Sequence, residues 1–320
     1  MTKAFENPPG RIFNRSIRDE DDFWHVRNML NETWPITPPD FNWDIRRWDG
    51  SYFYNEKPGW ETRWGKLEDY GIRLWETEDG RLVGVIHTEG ARGDAYLEIH
   101  PDYRQIEEEI IEWAENNLAV AVDNGDEKKL VIFTYEYDLP RRRLLEKRGY
   151  KKLESGGVIR RMRFGNRSIP DSQIADGYVM REVRPDDIDE CQKIANLLNA
   201  SFRRNIHTAR EYQSFAENSP SYNRDLELVA VAPDDSFAAH VGMIYDEVNH
   251  YGLFEPVCTH PDHVRKGLAG TLMFEGMRRV RALGATEVNV ATGDQPAANK
   301  LYESVGFPEV YKGYNWRKIF

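Results

Sequence analysis

The feature that most constrains this chain is that it repeats itself. His100-Pro101-Asp102 and His260-Pro261-Asp262 stand 160 residues apart, and "LLEKRGY" (144–150) answers "LYESVGF" (301–307) at an offset of 157. Between and before them, "LVGVI" (82–86) parallels "HVGMI" (240–244), and "IRDEDDFWHVRNML" (17–30) parallels "VRPDDIDECQKIANLL" (183–198). Four markers in the same order at a nearly constant offset mean duplicated domains. A length of 320 residues suits two domains of about 150. The boundaries read as 1–166 and 177–320, joined by a polar, Gly/Pro-punctuated linker at 167–176.

Each half reads β-α-α-β-β-β-α-β-α-β-β, a mixed sheet with a parallel β-α-β crossover in its middle and hence an α/β layered domain. Asp79-Gly80 marks a tight hairpin turn in the first half, and Pro233-Asp234-Asp235-Ser236 a looser one in the second. Eight of the nine tryptophans precede residue 114, several of them in the aromatic, proline-rich segment 34–64. That segment suits either core and inter-domain packing or a cover over a cleft where Trp faces attract a cation. Cys191 and Cys258 lie far apart without metal-type spacing, which fits a reducing cytoplasm, and no metal site is expected. No apolar run is long enough to span a membrane, and "MTKAFENPPGR" lacks the apolar core of a signal peptide, so none is expected. The formal charge of −11 disfavours nucleic acid as a partner.

The two halves differ where a strand hands over to a helix. In "YGLFEPVCTHPDHVRKGLAG" (251–270) a strand leads into Val264-Arg265-Lys266-Gly267-Leu268-Ala269-Gly270, and Leu268, Leu272, Met273, Met277, Val280 and Leu283 then fall on one helical face. A helix start leaves free backbone N–H groups and a partial positive charge, so it attracts phosphate; Gly267 and the small Ala269 allow close approach. The alternative is a β-α turn that uses Gly for conformation alone. In the first half "HPDYR" runs instead into Gln105-Ile106-Glu107-Glu108-Glu109, whose carboxylates repel a phosphate.

The second half resembles the GNAT (GCN5-related) acetyltransferase superfamily, whose pyrophosphate loop reads Gln/Arg-x-x-Gly-x-Gly/Ala. The match is Val264 through Ala269, with valine at the first position. "GDQPAANKLYESVGF" (293–307) resembles the family's Asn-x-x-Ala-x-x-x-Tyr as Gln295-x-x-Ala298-x-x-x-Tyr302, with Gln for Asn. The resemblance covers about residues 178–320. It implies a fold of two tandem GNAT-like domains, each a mixed, mostly antiparallel sheet with flanking helices, the first a degenerate copy in which Leu145 stands at the Tyr302 position. It implies acetyl-CoA as cosubstrate, held by Val257, Cys258, Thr259, the loop Val264–Gly270, Gln295, Ala298 and Asn299.

Acetyl transfer to an amine requires a deprotonated acceptor, a polarised thioester carbonyl and a protonated leaving thiolate. Tyr302 is the candidate acid, or else a packed helix aromatic. Glu255 is the candidate base, directly or through water, or else a solvated strand residue; strand alternation places it on the face of Val257. Asp246, Glu247 and His250 are further candidates for the base. Cys258 points away from both on the same argument, and the sequence places no histidine beside it, so an acyl-cysteine route has little support. His260 and His263 read as turn residues. The expected activity is transfer of the acetyl group from acetyl-CoA to the primary amine of a small molecule, by direct attack in a ternary complex, in a monomer or homodimer. The alternatives are a non-catalytic acyl-CoA-binding or sensing protein, another acyl donor, or a protein N-terminal or lysine acceptor.

Overall fold

A computed structural model describes residues 11–60, 71–89, 92–122, 125–171, 173–293 and 295–320. Residues 61–64 of the aromatic segment, with Trp64, lie outside the described residues, as does Asp294. The chain forms two compact units: residues 1–45, 60–156 and 313–320 make the first, and 46–59 and 157–312 the second. Sequence-drawn halves are continuous, whereas these units exchange two pieces of chain.

In the first unit, β1 (Ile12–Ser16), α1 (Glu20–Thr33), the first residue of α2 (Ile45–Phe53, the rest of which belongs to the second unit), β2 (Arg73–Thr77), β3 (Leu82–His87), β4 (Asp94–Ile99), α3 (Glu107–Asn117), β5 (Val120–Ala121), β6 (Lys128–Tyr135), α4 (Leu139–Lys147) and the start of β7 (Lys151–Arg163) follow in order. In the second come β8 (Val179–Glu182), α5 (Ile188–Phe202), α6 (Ala209–Asn218), β9 (Glu227–Val231), β10 (Phe237–Asp246), β11 (Tyr251–Thr259), α7 (Leu268–Leu283), β12 (Glu287–Gly293), α8 (Pro296–Val305) and the start of β13 (Glu309–Ile319). The repeated order confirms the duplication. Each half closes on one long strand rather than the two short ones expected. β7 and β13 are each divided between the units, residues 151–156 and 313–319 in the first and 157–163 and 309–312 in the second.

The second unit's strands lie in the order β7-β12-β11-β10-β9-β8. Its neighbours are antiparallel except β11 and β12, joined by the α7 crossover. One face carries α7 and α8 over Leu228, Val241, Met243, Phe254, Val288 and Val290. The opposite face carries α5 and α6 over Val229, Val231, Phe237 and Cys258. Local chemistry sets the helix ends: Asp187 caps α5, Thr208 and Glu211 form a reciprocal capping box at α6, and Gly284 and Gly306 close α7 and α8 in left-handed geometry. Leu283, expected on the buried stripe, is exposed at the last residue of α7. The linker segment docks along α7, where Arg278 donates to the Pro170 carbonyl and Arg281 to those of Arg167 and Gly165.

In the first unit the order is β1-β2-β3-β4-β6-β13. Residues Gly313–Ile319 of β13 pair antiparallel with β6, and Trp316 is buried among Leu130, Ile132, Leu145 and Tyr150. Gly156 and Gly313 are required there: a Cβ on Gly156 would fall 2.0 Å from the Gly313 carbonyl oxygen, and one on Gly313 would fall 2.3 Å from the Phe133 ring. Trp316→Ala is expected to destabilise the first unit by about 3–5 kcal/mol. Hydrogen exchange should show protection lost in β6 and kept in β10.

Candidate active site

In the second unit β11 and β12 run side by side for four pairs only, from Tyr251↔Glu287 to Phe254↔Val290. Beyond that point β11 stays with β10 through Val257, Cys258 and Thr259. β12 instead continues against β7 as far as Gly293↔Gly157. The strands part after Phe254 and Val290, leaving the edge of residues 255–259 facing a gap. Proline at 256 removes one donor from that edge. The β10–β11 register shifts between Val241 and Met243, placing an extra residue on β11. As a result Phe254 and Val257 both pack into the α7-side core. Alternation is therefore broken at 255–256, and the same-face argument for Glu255 and Val257 does not carry across the bulge. Cys258 does turn to the other face, into the core beneath α5.

The residues expected to form a phosphate loop follow directly on the end of β11. His260 and His263 build the turn: His260 Nδ1 accepts from the Asp262 N–H at 3.3 Å, and His263 Nδ1 lies 2.8 Å from the Tyr178 hydroxyl. Arg265 (φ 63°) and Gly267 (φ 74°) are both left-handed. The first N–H groups of α7 have no partner within the helix, and no side chain caps them. Val264, Arg265, Lys266 and Gly267 are exposed, while Leu268 and Ala269 are buried. A Cβ at Gly267 would meet nothing within 4 Å, so the space before these amides is open.

Behind the gap, α7 packs on α8 with Gly270 facing Leu301 and Val305. Gln295 begins α8 with no side-chain cap, and Ala298 packs on the core. Asn299 is already committed: its Oδ1 accepts from Arg160 Nη2 at 3.1 Å and its Nδ2 donates to the Gln295 carbonyl at 3.0 Å. Tyr302 is 4% exposed and packs edge-on against Phe307. Burial, with the negative fields of Glu255 and Cys258, pushes its hydroxyl well above the ordinary phenol value. Glu255, exposed at the rim, and Tyr302, buried behind it, thus lie within electrostatic reach of each other.

The repeat offset shows what occupies these positions in the first unit. Arg104 aligns with Val264, Glu107 with Gly267, Asp138 with Gln295, Arg141 with Ala298 and Leu145 with Tyr302. There the side chains bind one another. Arg104 bonds Glu107 at 2.7 Å and Asp138 at 2.8 Å, and Arg141 bonds Glu107 and lies 3.6 Å from Asp138. Glu107, Asp138 and Arg141 are all buried. Burial opposes charge on Arg141, but Glu107 and Asp138 outweigh it and hold the guanidinium charged. Elsewhere in this unit Asp22, His25 and Glu76 lie close enough for a metal ion, yet both carboxylates are bonded to Arg15.

One cluster escaped the sequence reading. His240 and Glu227 are buried, with Nε2 2.8 Å from Oε2, and the Tyr212 hydroxyl donates to the same oxygen at 3.1 Å. His240 is the register partner of Cys258, so a histidine does stand beside that thiol. Gly242 makes room for the carboxylate: a Cβ there would fall 3.0 Å from Glu227 Oε1 and 2.8 Å from the Glu255 carbonyl oxygen. The available signal was two charges, Glu227 and His240, inside otherwise apolar strand runs, each needing a partner when buried.

Residues 191–307 match the profile of the acetyltransferase (GNAT) family. This is a GNAT domain. No curated protein sequence matches the chain significantly. Among solved structures, a GCN5-related N-acetyltransferase from Sphaerobacter thermophilus is similar at 17% identity and a TM-score of 0.62, covering 98% of this chain and 97% of that one. A tandem GNAT protein from the clavulanic acid biosynthesis pathway is similar at 14% identity and a TM-score of 0.63, covering 97% and 98%. A GNAT-family acetyltransferase from Colwellia psychrerythraea is similar at 12% identity and a TM-score of 0.59, covering 96% and 100%. The fold is that of tandem GNAT proteins. No helix among the described residues is long and apolar enough to cross a membrane.

The buried pair in the GNAT domain carries a pH dependence. Burial opposes charging of His240, but Cys258 and Glu227 outweigh it and push the imidazole up to about 9 from 6.5. A raised folded-state value means that this stabilisation is complete below about pH 6.5 and is lost as pH rises to about 9, on the order of 2–3 kcal/mol. His240→Gln should flatten that alkaline slope, read by urea unfolding between pH 6 and 9.5.

Proposed function

We propose that the second unit binds acetyl-CoA and moves its acetyl group to the primary amine of a small molecule, by direct attack in a ternary complex. The observation that carries this reading is the open, uncapped start of α7 at Gly267, set beside a parted strand edge. Backbone amides there suit a pyrophosphate, with Arg265 and Lys266 adding charge; charge-assisted hydrogen bonds contribute roughly 1.5–3 kcal/mol each. The edge of residues 257–259 suits the pantetheine amides and the thioester carbonyl. Asn299, tied to Arg160 and to the Gln295 carbonyl, braces the turn at the start of α8 beside the proposed coenzyme site.

An amine of pKa about 10.4 costs roughly 4.6 kcal/mol to deprotonate at pH 7. Positioning of the reactants contributes about 7–11 kcal/mol, more than general acid–base help of 10²–10⁴-fold. Glu255 at the rim suits the base, directly or through water. Tyr302, held protonated by burial and neighbouring negative charge, suits a hydrogen bond to the departing sulfur. Its raised pKa makes it a reluctant proton donor, so stabilising the developing thiolate comes before full transfer.

The first unit reads as a degenerate copy in which the Arg104–Glu107–Arg141–Asp138 cluster fills the coenzyme positions. The rival reading for the whole chain is an acyl-CoA sensor without turnover. Retention of Tyr302 where the other copy has Leu145 favours the enzyme.

Tyr302→Phe should lower kcat about 10²-fold or more and leave acetyl-CoA affinity within about twofold, measured by thiol release and calorimetry. Unchanged kcat removes Tyr302 from the reaction. Gly267→Glu should abolish acetyl-CoA binding, because it puts a carboxylate before the amides and strains a left-handed residue. Glu107→Gln in the first unit should leave binding unchanged while destabilising that unit by about 3 kcal/mol, having left buried Arg141 with Asp138 as its remaining close anion. Coenzyme binding with no thiol release across polyamines, amino sugars and amino acids would favour the sensor.

A further inference from the structure

At the outer edge of the second unit's sheet lies a cavity of about 280 Å³ that the proposed reaction does not use. Arg181 and Glu182 line it from the end of β8, Arg184 from the turn before α5, and Arg224 and Asp225 from the short 3₁₀ turn that leads into β9. β8 is the last strand of the order and stands three strands from β11, so this cavity is separate from the parted edge. The Arg184 and Arg224 side chains are about half exposed, which leaves it open to solvent.

Five charged side chains meet here, and three of them are answered within the protein. Arg181 bonds both oxygens of buried Glu190 at 2.9 and 2.7 Å, and Arg184 bonds the same carboxylate through Nε and Nη2. Glu182 is tied to Arg279 of α7. The other two are not answered in this way. Arg224 has only Asp186 at 3.7 Å, a loose contact between exposed groups. The Asp225 carboxylate makes no hydrogen bond or ion pair among the described residues, although its backbone is fixed: the N–H donates to Asn223 Oδ1 at 3.0 Å and the carbonyl accepts from Arg279 at 2.7 Å. Glu190 and Arg279 thus hold the walls in place before any ligand arrives, so little ordering is needed on binding.

The unanswered pair defines the chemistry of the occupant. One guanidinium and one carboxylate stand on consecutive residues, whose Cα atoms are about 3.8 Å apart. An anion alone would meet Asp225. A cation alone would meet Arg224 and the excess positive charge of two guanidinia on the single Glu190 carboxylate. A molecule carrying a carboxylate and an ammonium close together satisfies both: the carboxylate on Arg224 and on Nη1 of Arg184, the ammonium on Asp225. The volume lies just under the range of about 300–1,000 Å³ usual for drug-sized ligands, which suits one small metabolite.

We propose that this cavity is a second, non-catalytic site for a free α-amino acid, held by Arg224, Arg184 and Asp225. It goes beyond the acetyltransferase reading and stands whether or not that reading holds. A peptide end carries only one of the two charges, and an N-acetylated amino acid carries only the carboxylate, so neither fills the site as well.

The test is calorimetry on the full chain without acetyl-CoA, after a Tm screen of the standard amino acids has picked the strongest. That amino acid should bind about tenfold or more tightly than its N-acetyl form and its carboxamide, each of which lacks one charge. Arg224→Gln and Asp225→Asn, both at exposed positions, should each weaken it about tenfold or more without lowering the Tm of the free protein. Gly267→Glu, which blocks the proposed coenzyme turn, should leave it unchanged. No stabilisation by any amino acid overturns the proposal, the charges then being solvated surface groups. So does full affinity in both exposed variants, which puts the amino acid elsewhere on the protein. Inorganic phosphate that binds as tightly and is lost in Arg224→Gln also overturns it, because the cavity is then a plain anion site.

Discussion

The second unit depends on two strands that cease to bond with each other. A parallel pair is normally zipped along its length, because each buried backbone N–H and C=O left unpaired is costly. Here β11 and β12 stop after four pairs. What permits this is local and specific. Pro256 lacks one donor, an extra residue bulges β11 opposite Gly242, and β12 has another partner in β7. The freed edge then runs directly into a helix whose first amides are uncapped. Edge and amides together form a stretch of backbone that β12 and the helix cap leave unanswered.

The first unit shows the same frame closed by side chains. Four charged residues, at positions equivalent to the turn before α7 and the start of α8, are cross-linked in its interior. Buried ion clusters are often no more stabilising than apolar packing of the same volume, but removing one member leaves an uncompensated charge. Such a cluster is difficult to lose one residue at a time. Duplication followed by this kind of filling leaves a unit that keeps the architecture while its amides and carboxylates are occupied internally.

Much of this was legible in the sequence because it rests on local rules. The repeat, most of the element order and the glycine turn at residue 267 follow from spacing and from what each residue permits. The turn roles of His260 and His263 were legible for the same reason. What was not legible depended on partners distant in the chain. The bulge at 255–256 is set by how β10 and β11 align, so alternation misled at Glu255. The His240–Glu227–Tyr212 cluster joins β10, β9 and α6. The passage of β7 and β13 between units depends on Gly156 and Gly313, where any side chain would collide. Single residues inside uniform strand patterns carried all of these, and a periodicity averages them away.

The placement of β13 bears on how the molecule comes into being. Its last residues complete the sheet of the first unit beside β6. Ribosomes deliver a chain from its beginning, and leading domains ordinarily settle while later ones are still being made. Here the leading unit must wait, with the β6 edge and the pocket for Trp316 unfilled, until translation has run through the whole of its sibling. Its final assembly follows the synthesis of the second unit, and in that interval the bare β6 edge is a template for pairing with other strands.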